Sequence, residues 1–149
     1  MDRQNHFIDF ERLFWKLSRK MEYQWNKIYM ETFPGSQSHI MFLLQQNGPK
    51  MMSELAEALH LTAGAVTTAS NHLINHGHIA RIRDDKDRRV VRLDLTEKGR
   101  KTLHNLQTEG QKIMKIVFGD ISDTELEMLI IIFNRANKNI DHMPKVENH

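Results

Sequence analysis

Cysteine is absent from this chain, which excludes disulfides, thiolate metal sites and thiol-based redox switching. No apolar run approaches the roughly 20 residues that a membrane-crossing helix needs. The opening stretch MDRQNHFIDFERLFWK carries acidic residues and lacks an uninterrupted apolar core, so it does not read as a signal peptide. These absences give the expectation of a cytoplasmic protein with no membrane partner. Also missing are a serine-centred nucleophile motif, a phosphate-binding glycine loop and a clustered pair of carboxylates, so no enzyme is expected. Neither an internal repeat nor a low-complexity segment is visible.

What is present is an ordinary globular composition, 40% apolar and 27% charged over 149 residues. That length suits one domain, residues 1–149, with a real core. The net charge is only +2, but it is unevenly placed. Residues 81–101 hold nine Lys/Arg against five Asp/Glu, and residues 120–149 hold three against six. Such asymmetry points to a partner for the basic stretch.

Apolar periodicity divides the chain. Phe7, Phe10, Phe14, Leu17, Met21, Trp25 and Ile28 recur every three or four residues, predicting a long helix over residues 5–29. Pro34-Gly35-Ser36 breaks the chain, with Ser36 expected to cap a second helix whose Ile40, Met41, Leu43 and Leu44 face inward. Asn47-Gly48-Pro49 ends that helix. A short third helix is expected over residues 52–59, with Ala56 small enough for a helix to cross it closely. His60-Leu61 makes a turn, and Thr62 caps a fourth helix reaching to about His76. Gly77 is placed to end it in a left-handed conformation. The period then changes to two: Ile79 to Arg83 and Val91 to Leu95 read as strands. Between them DDKDRR has no glycine, so a wide loop is expected rather than a two-residue turn. Thr96 caps a fifth helix in which Gly110 is a candidate bend, and a sixth runs over residues 123–140.

The expected fold is therefore mainly α (α+β by strict count): a six-helix winged helix-turn-helix with a two-stranded wing. Residues 36–95 form the lobe, and residues 5–30 and 97–141 a helical dimerisation region. The long first helix carries more apolar surface than so small a lobe can cover. Phe7 and Phe10 there, with Leu126, Leu129, Phe133 and Ile140 of the last helix, are the expected contacts of a homodimer.

From Gln37 to about Leu103 the sequence closely resembles the MarR (multiple-antibiotic-resistance regulator) family of bacterial transcription factors. The matching pieces are the GP after the second helix, SELAEAL, the helix end LINHGHI, and DDKDRR followed by LTEKG. The resemblance implies a winged-helix homodimer that binds double-stranded DNA as a nucleoid-associated regulator, in many members a repressor. It also implies release from DNA by a small, often aromatic and acidic, effector. Phe14, Trp15 and Phe42 are the expected pocket residues; no cofactor is implied.

On this reading Thr62, Ala63, Gly64, Thr67, Thr68 and Asn71 of the fourth helix enter the major groove, and Ser53 meets phosphate. Threonine methyls suit thymine methyls, and Asn71 could pair with adenine. In the wing, Lys86, Asp87, Arg88 and Arg89 meet DNA, one arginine suiting a narrow minor groove while Asp87 braces another. Which arginine does which is open. A dimer predicts a pseudo-palindromic operator, with half-sites about one helical turn apart.

Two departures from the family pattern matter. Met51 stands where relatives usually have a hydroxyl residue, which leaves Glu54 without its capping-box partner. Residues 62–75 contain no Lys or Arg, where relatives usually have a basic residue near Thr68. Strong guanine reading by the helix is then unexpected, and A·T-rich half-sites follow.

Nine histidines raise two alternatives. His72, His76 and His78 could converge on a metal, making a metal-responsive regulator, yet no His-Glu-x-x-His spacing exists and no metal is expected. They are expected to be exposed near the back of the fourth helix. A winged helix used as a protein-interaction module is the other alternative; its wing would be less basic.

Overall fold

The computed structural model describes residues 2–144. The elements follow as α1 (Arg3–Tyr29), α2 (Gln37–Asn47), α3 (Met52–Leu59), α4 (Ala63–Asn75), β1 (Ile79–Arg83), β2 (Val91–Leu95), α5 (Glu97–Phe118) and α6 (Asp123–Asp141). The chain gathers into two compact units, one ending at Ile113 and the other beginning at Met114. The six helices and the two-stranded wing are those expected from the periodicity.

In the first unit the core is built by α2, α3, α4, the hairpin and the start of α5. Phe33, Ile40, Met41, Leu55, Val66, Leu73, Ile79, Leu93 and Leu103 are essentially without solvent contact. Burying each such side chain stabilises the fold by about 1.5–3 kcal/mol before entropy is counted. Leu43 is half-buried, and the other inward residues expected of α2 are buried.

Local chemistry sets the boundaries. Thr62 Oγ1 accepts from the Ala65 N–H at 3.1 Å, capping α4. At its far end Gly77 takes φ 76°. Its N–H donates to the Ile74 carbonyl, and the His78 N–H donates to that of Leu73, each at 2.9 Å. That pattern is a Schellman stop, available because glycine has no Cβ to clash. Between α3 and α4, His60 adopts φ 54°, and the Leu61 N–H returns to the Ala56 carbonyl at 3.0 Å. Thr96 Oγ1 donates to the Gly77 carbonyl at 2.5 Å and accepts from the Gly99 N–H at 3.1 Å, tying the start of α5 to the end of α4.

One local expectation is corrected and two gain detail. Ser36 stands at the N-cap of α2 but makes no side-chain cap bond, because its backbone (φ −78°, ψ −2°) is already helical rather than extended. Glu54 keeps half of its box, accepting the Met51 N–H at 2.9 Å, although Met51 offers no hydroxyl in return. Gly110 marks a close approach: a Cβ there would lie 2.8 Å from the Tyr29 hydroxyl.

The hairpin is antiparallel, pairing Ile79 with Leu95, Arg81 with Leu93 and Arg83 with Val91. Lys50 adds a one-residue bridge, exchanging both backbone hydrogen bonds with Leu93 at 3.0 and 2.7 Å. One residue has no periodicity, so this bridge has no sequence signal.

In the second unit α6 is capped on both sides. Ser122 Oγ accepts from the Glu125 N–H at 3.1 Å, and the Glu125 carboxylate accepts the Ser122 N–H at 2.7 Å. Leu126, Ile130, Phe133 and Ile140 of α6 are exposed, and none of its residues is buried.

Candidate nucleic-acid interface

α4 buries Val66, Ala69, Ser70 and Leu73 and turns its other side outward. Ala63, Gly64, Thr67, Thr68 and Asn71 lie exposed there, so the residues expected to meet DNA share one accessible side. Nothing lies within 4 Å of where a Gly64 Cβ would be. Thr67 turns its hydroxyl inward, donating to the Ala63 carbonyl at 2.9 Å. Ser53 is exposed in the first turn of α3.

The wing loop between β1 and β2 is folded around two carboxylates. Asp84 Oδ1 accepts the Lys86 N–H at 2.8 Å, and its Oδ2 pairs with Arg92 across the hairpin. Asp87 grips Arg89 with both oxygens, each at 3.0 Å, and also accepts the Arg89 N–H. The Lys86 N–H, followed by Arg92, holds the Asp84 carboxyl below the usual carboxylate range. The Arg89 guanidinium and N–H do the same for Asp87. Arg83 Nη1 donates to the Arg88 carbonyl at 2.9 Å, fastening the loop to β1. The guanidinium of Arg88 itself has no carboxylate within salt-bridge distance among the described residues.

Asn71 is already engaged within the lobe. Its Oδ1 accepts from Arg81 Nη2 at 3.1 Å. An adenine pair would use the second lone pair of that oxygen while Arg81 holds the first. Sequence reading missed Arg81 because it is ten residues away and on a strand; the only available signal was its period-two alternation with the buried Ile79.

The histidines do not converge. His72 and His76 stack with centroids 4.1 Å apart and are exposed, whereas His78 is buried edge-on against Phe33 at 4.9 Å. The expectation of three exposed imidazoles is thus corrected at His78: the glycine stop turns the chain inward there. Burial, followed by the charge of Lys98, lowers the His78 pKa. Among the described residues no group of three His, Asp or Glu side chains is placed to hold a metal.

The expected pocket residues are also divided. Phe42 packs against Trp25 and Tyr29, centroids 5.0 and 5.2 Å away. Phe14 and Trp15 touch each other at 5.1 Å and are exposed.

Comparison with known proteins bears on this geometry. Residues 34–91, from the start of α2 through the wing loop, match the family described as MarR. The uncharacterized HTH-type transcriptional regulator YpoP of Bacillus subtilis is 29% identical over 136 residues, covering 91% of this chain and 96% of its own. The segment from α2 to the wing loop is thus similar to the MarR family, and the similarity to a transcriptional regulator extends over most of the chain. The fold of a MarR family protein from Bacillus stearothermophilus matches with a TM-score of 0.81 at 20% identity, covering 95% of this chain and 99% of that one. An E. coli MarR mutant, solved in complex with operator DNA, matches with a TM-score of 0.65 at 20% identity, covering 91% and 99%. The fold is accordingly a winged helix, and the relatives it matches are transcriptional regulators. No helix among the described residues is long and apolar enough to cross a membrane.

Proposed function

We propose that this protein is a MarR-family transcriptional regulator: a homodimeric, sequence-specific repressor acting in the bacterial cytosol on double-stranded DNA, relieved by a small ligand. The observation that carries the DNA reading is the pairing of two features on one lobe. One is a helix face of small, uncharged residues; the other is an arginine held in a fixed direction beside it. α4 enters the major groove through Ala63, Gly64, Thr67 and Thr68, whose small side chains let the helix backbone approach base edges. Arg89 enters the minor groove. Asp87 occupies its Nε and Nη2, which leaves Nη1 to reach forward, and bracing lowers the entropy lost on binding. Arg88 and Lys86 meet phosphate, as does Ser53. Half-sites are A·T-rich where the threonines and the minor-groove arginine act.

The dimer reading is supported by apolar surface without cover. Phe7 and Phe10 of α1, and Leu126, Phe133 and Ile140 of α6, are each 47–63% exposed in the single chain. Leu129 is half-buried. So many large apolar side chains left in water favour a partner, and a second copy supplies an identical complementary surface.

Ligand relief is supported by the aromatic group of Trp25, Tyr29 and Phe42, where the indole Nε1 is buried without an acceptor among the described residues. An aromatic acid would give that N–H a carboxylate partner.

Fluorescence anisotropy on duplex DNA from the promoter of its own gene, at two salt concentrations, tests the function. Specific binding that weakens steeply with salt supports it. No retention of duplex at low salt returns the chain to a protein-interaction role.

A further inference from the structure

α4 carries no basic residue of its own, yet its exposed side is not without one. Arg81 lies on the same face of β1 as the buried Ile79, opposite the buried Leu93. That face is the one turned toward the helices. From there the arginine extends past the core edge and comes to rest on Asn71, Nη2 to Oδ1 at 3.1 Å, with both side chains exposed.

Asn71 stands seven residues beyond Gly64 and four beyond Thr67, on the same stripe of α4. The guanidinium therefore sits over the groove-facing side, about 10 Å further along the helix than Gly64. Its situation differs from that of its neighbours in the hairpin. Arg89 and Arg92 are neutralised by Asp87 and Asp84, and Arg83 is spent on a backbone carbonyl. Arg81 alone among these is fixed by a neutral side chain, which orients the fork without cancelling its charge. Its remaining N–H groups, Nη1 included, stay available to donate.

We infer that Arg81, positioned by Asn71, is a base-reading residue that recognises one guanine in each half-site through its O6 and N7. This rests on the DNA-binding reading above, and it adds a G·C pair to half-sites otherwise rich in A·T. Bidentate guanine contacts by arginine are the commonest specific contact of the major groove. A phosphate contact would use the same charge but carry no sequence information.

The test is selection from a library of randomised duplexes with the full-length protein, followed by anisotropy on the selected duplex and on single-base variants. Wild type should enrich one G·C position per half-site. Arg81→Ala and Arg81→Lys should both lose the preference at that position alone, about tenfold or more, while other positions keep theirs. Lysine keeps the charge but not the fork, so a lysine variant that retains the guanine preference overturns the inference. Asn71→Ala should weaken the preference and leave the salt dependence unchanged. If Arg81→Ala lowers affinity uniformly, reduces the salt slope by about 1 and preserves every base preference, Arg81 is a phosphate clamp and the inference fails. If wild type enriches no duplex, the function itself fails, a result distinct from either. Arg81 is exposed, and thermal melting of each variant verifies folding.

Discussion

Asp87 holds Arg89 at two points, Oδ1 to Nε and Oδ2 to Nη2, both at 3.0 Å, while the Arg89 side chain stays 91% exposed. An arginine that projects so fully and is still fixed in direction is suited to insertion. Arg89→Ala should lower operator affinity by about tenfold or more, and Asp87→Ala by less, because the charge remains and only its orientation is lost. Anisotropy titrations give both numbers. Equal affinity for wild type and Arg89→Ala would remove Arg89 from the minor groove.

Two glycines separate stability from function. A Cβ at Gly99 would lie 2.0 Å from the His78 carbonyl oxygen, which belongs to backbone and cannot swing away. Gly99→Ala should cost about 2 kcal/mol or more in urea unfolding. A Cβ at Gly64 meets nothing within 4 Å, so Gly64→Ala should stabilise the helix by up to about 1 kcal/mol. Its DNA affinity should nevertheless fall, since the methyl would stand between helix and base edges. A Gly64→Ala protein that binds operator as tightly as wild type argues against close approach there.

His78 gives the fold a pH dependence of defined sign. Burial, the Lys98 charge and the neighbouring His76 and His72 lower its pKa below the ordinary 6.5. As pH falls below 6.5 the unfolded chain takes up a proton that the folded chain refuses. Stability is therefore full above that value and declines until the folded-state pKa is passed. Thermal melts between pH 5 and 7.5 should show this decline. The decline should be smaller in His78→Gln, and an identical slope in the two proteins would locate the effect elsewhere.

Phe133 of α6 is 57% exposed in the single chain. A charge at a buried dimer contact must be desolvated without a partner. Phe133→Glu should shift the protein to monomer at micromolar concentration in light scattering, and lower operator affinity at least tenfold by uncoupling the half-sites. A Phe133→Glu dimer would place the contact on other residues.

Much of this is legible in the chain because it depends on neighbours in sequence. The Thr62 cap, the Gly77 stop and the change from helical to alternating period at Ile79 all arise within a few residues, so residue type and spacing suffice. The bracing of an arginine by Asp87 was legible for the same reason, the two residues being two apart. Asn71 read as free because nothing nearby in sequence claims its oxygen.

Sequence alone determined the order of the helices, the caps at Thr62 and Thr96, the stop at Gly77 and the charged loop between two strands, since these follow from local hydrogen bonding and the alternation of apolar residues. Only the tertiary structure decided that His78 is buried while His76 is not, that Arg89 is the braced arginine, and that β1 lends α4 the cation it lacks. The burial of His78 and the reach of Arg81 require segments distant in the chain to meet, and the choice of Arg89 over Arg88 depends on how the loop folds, which residue spacing alone does not give.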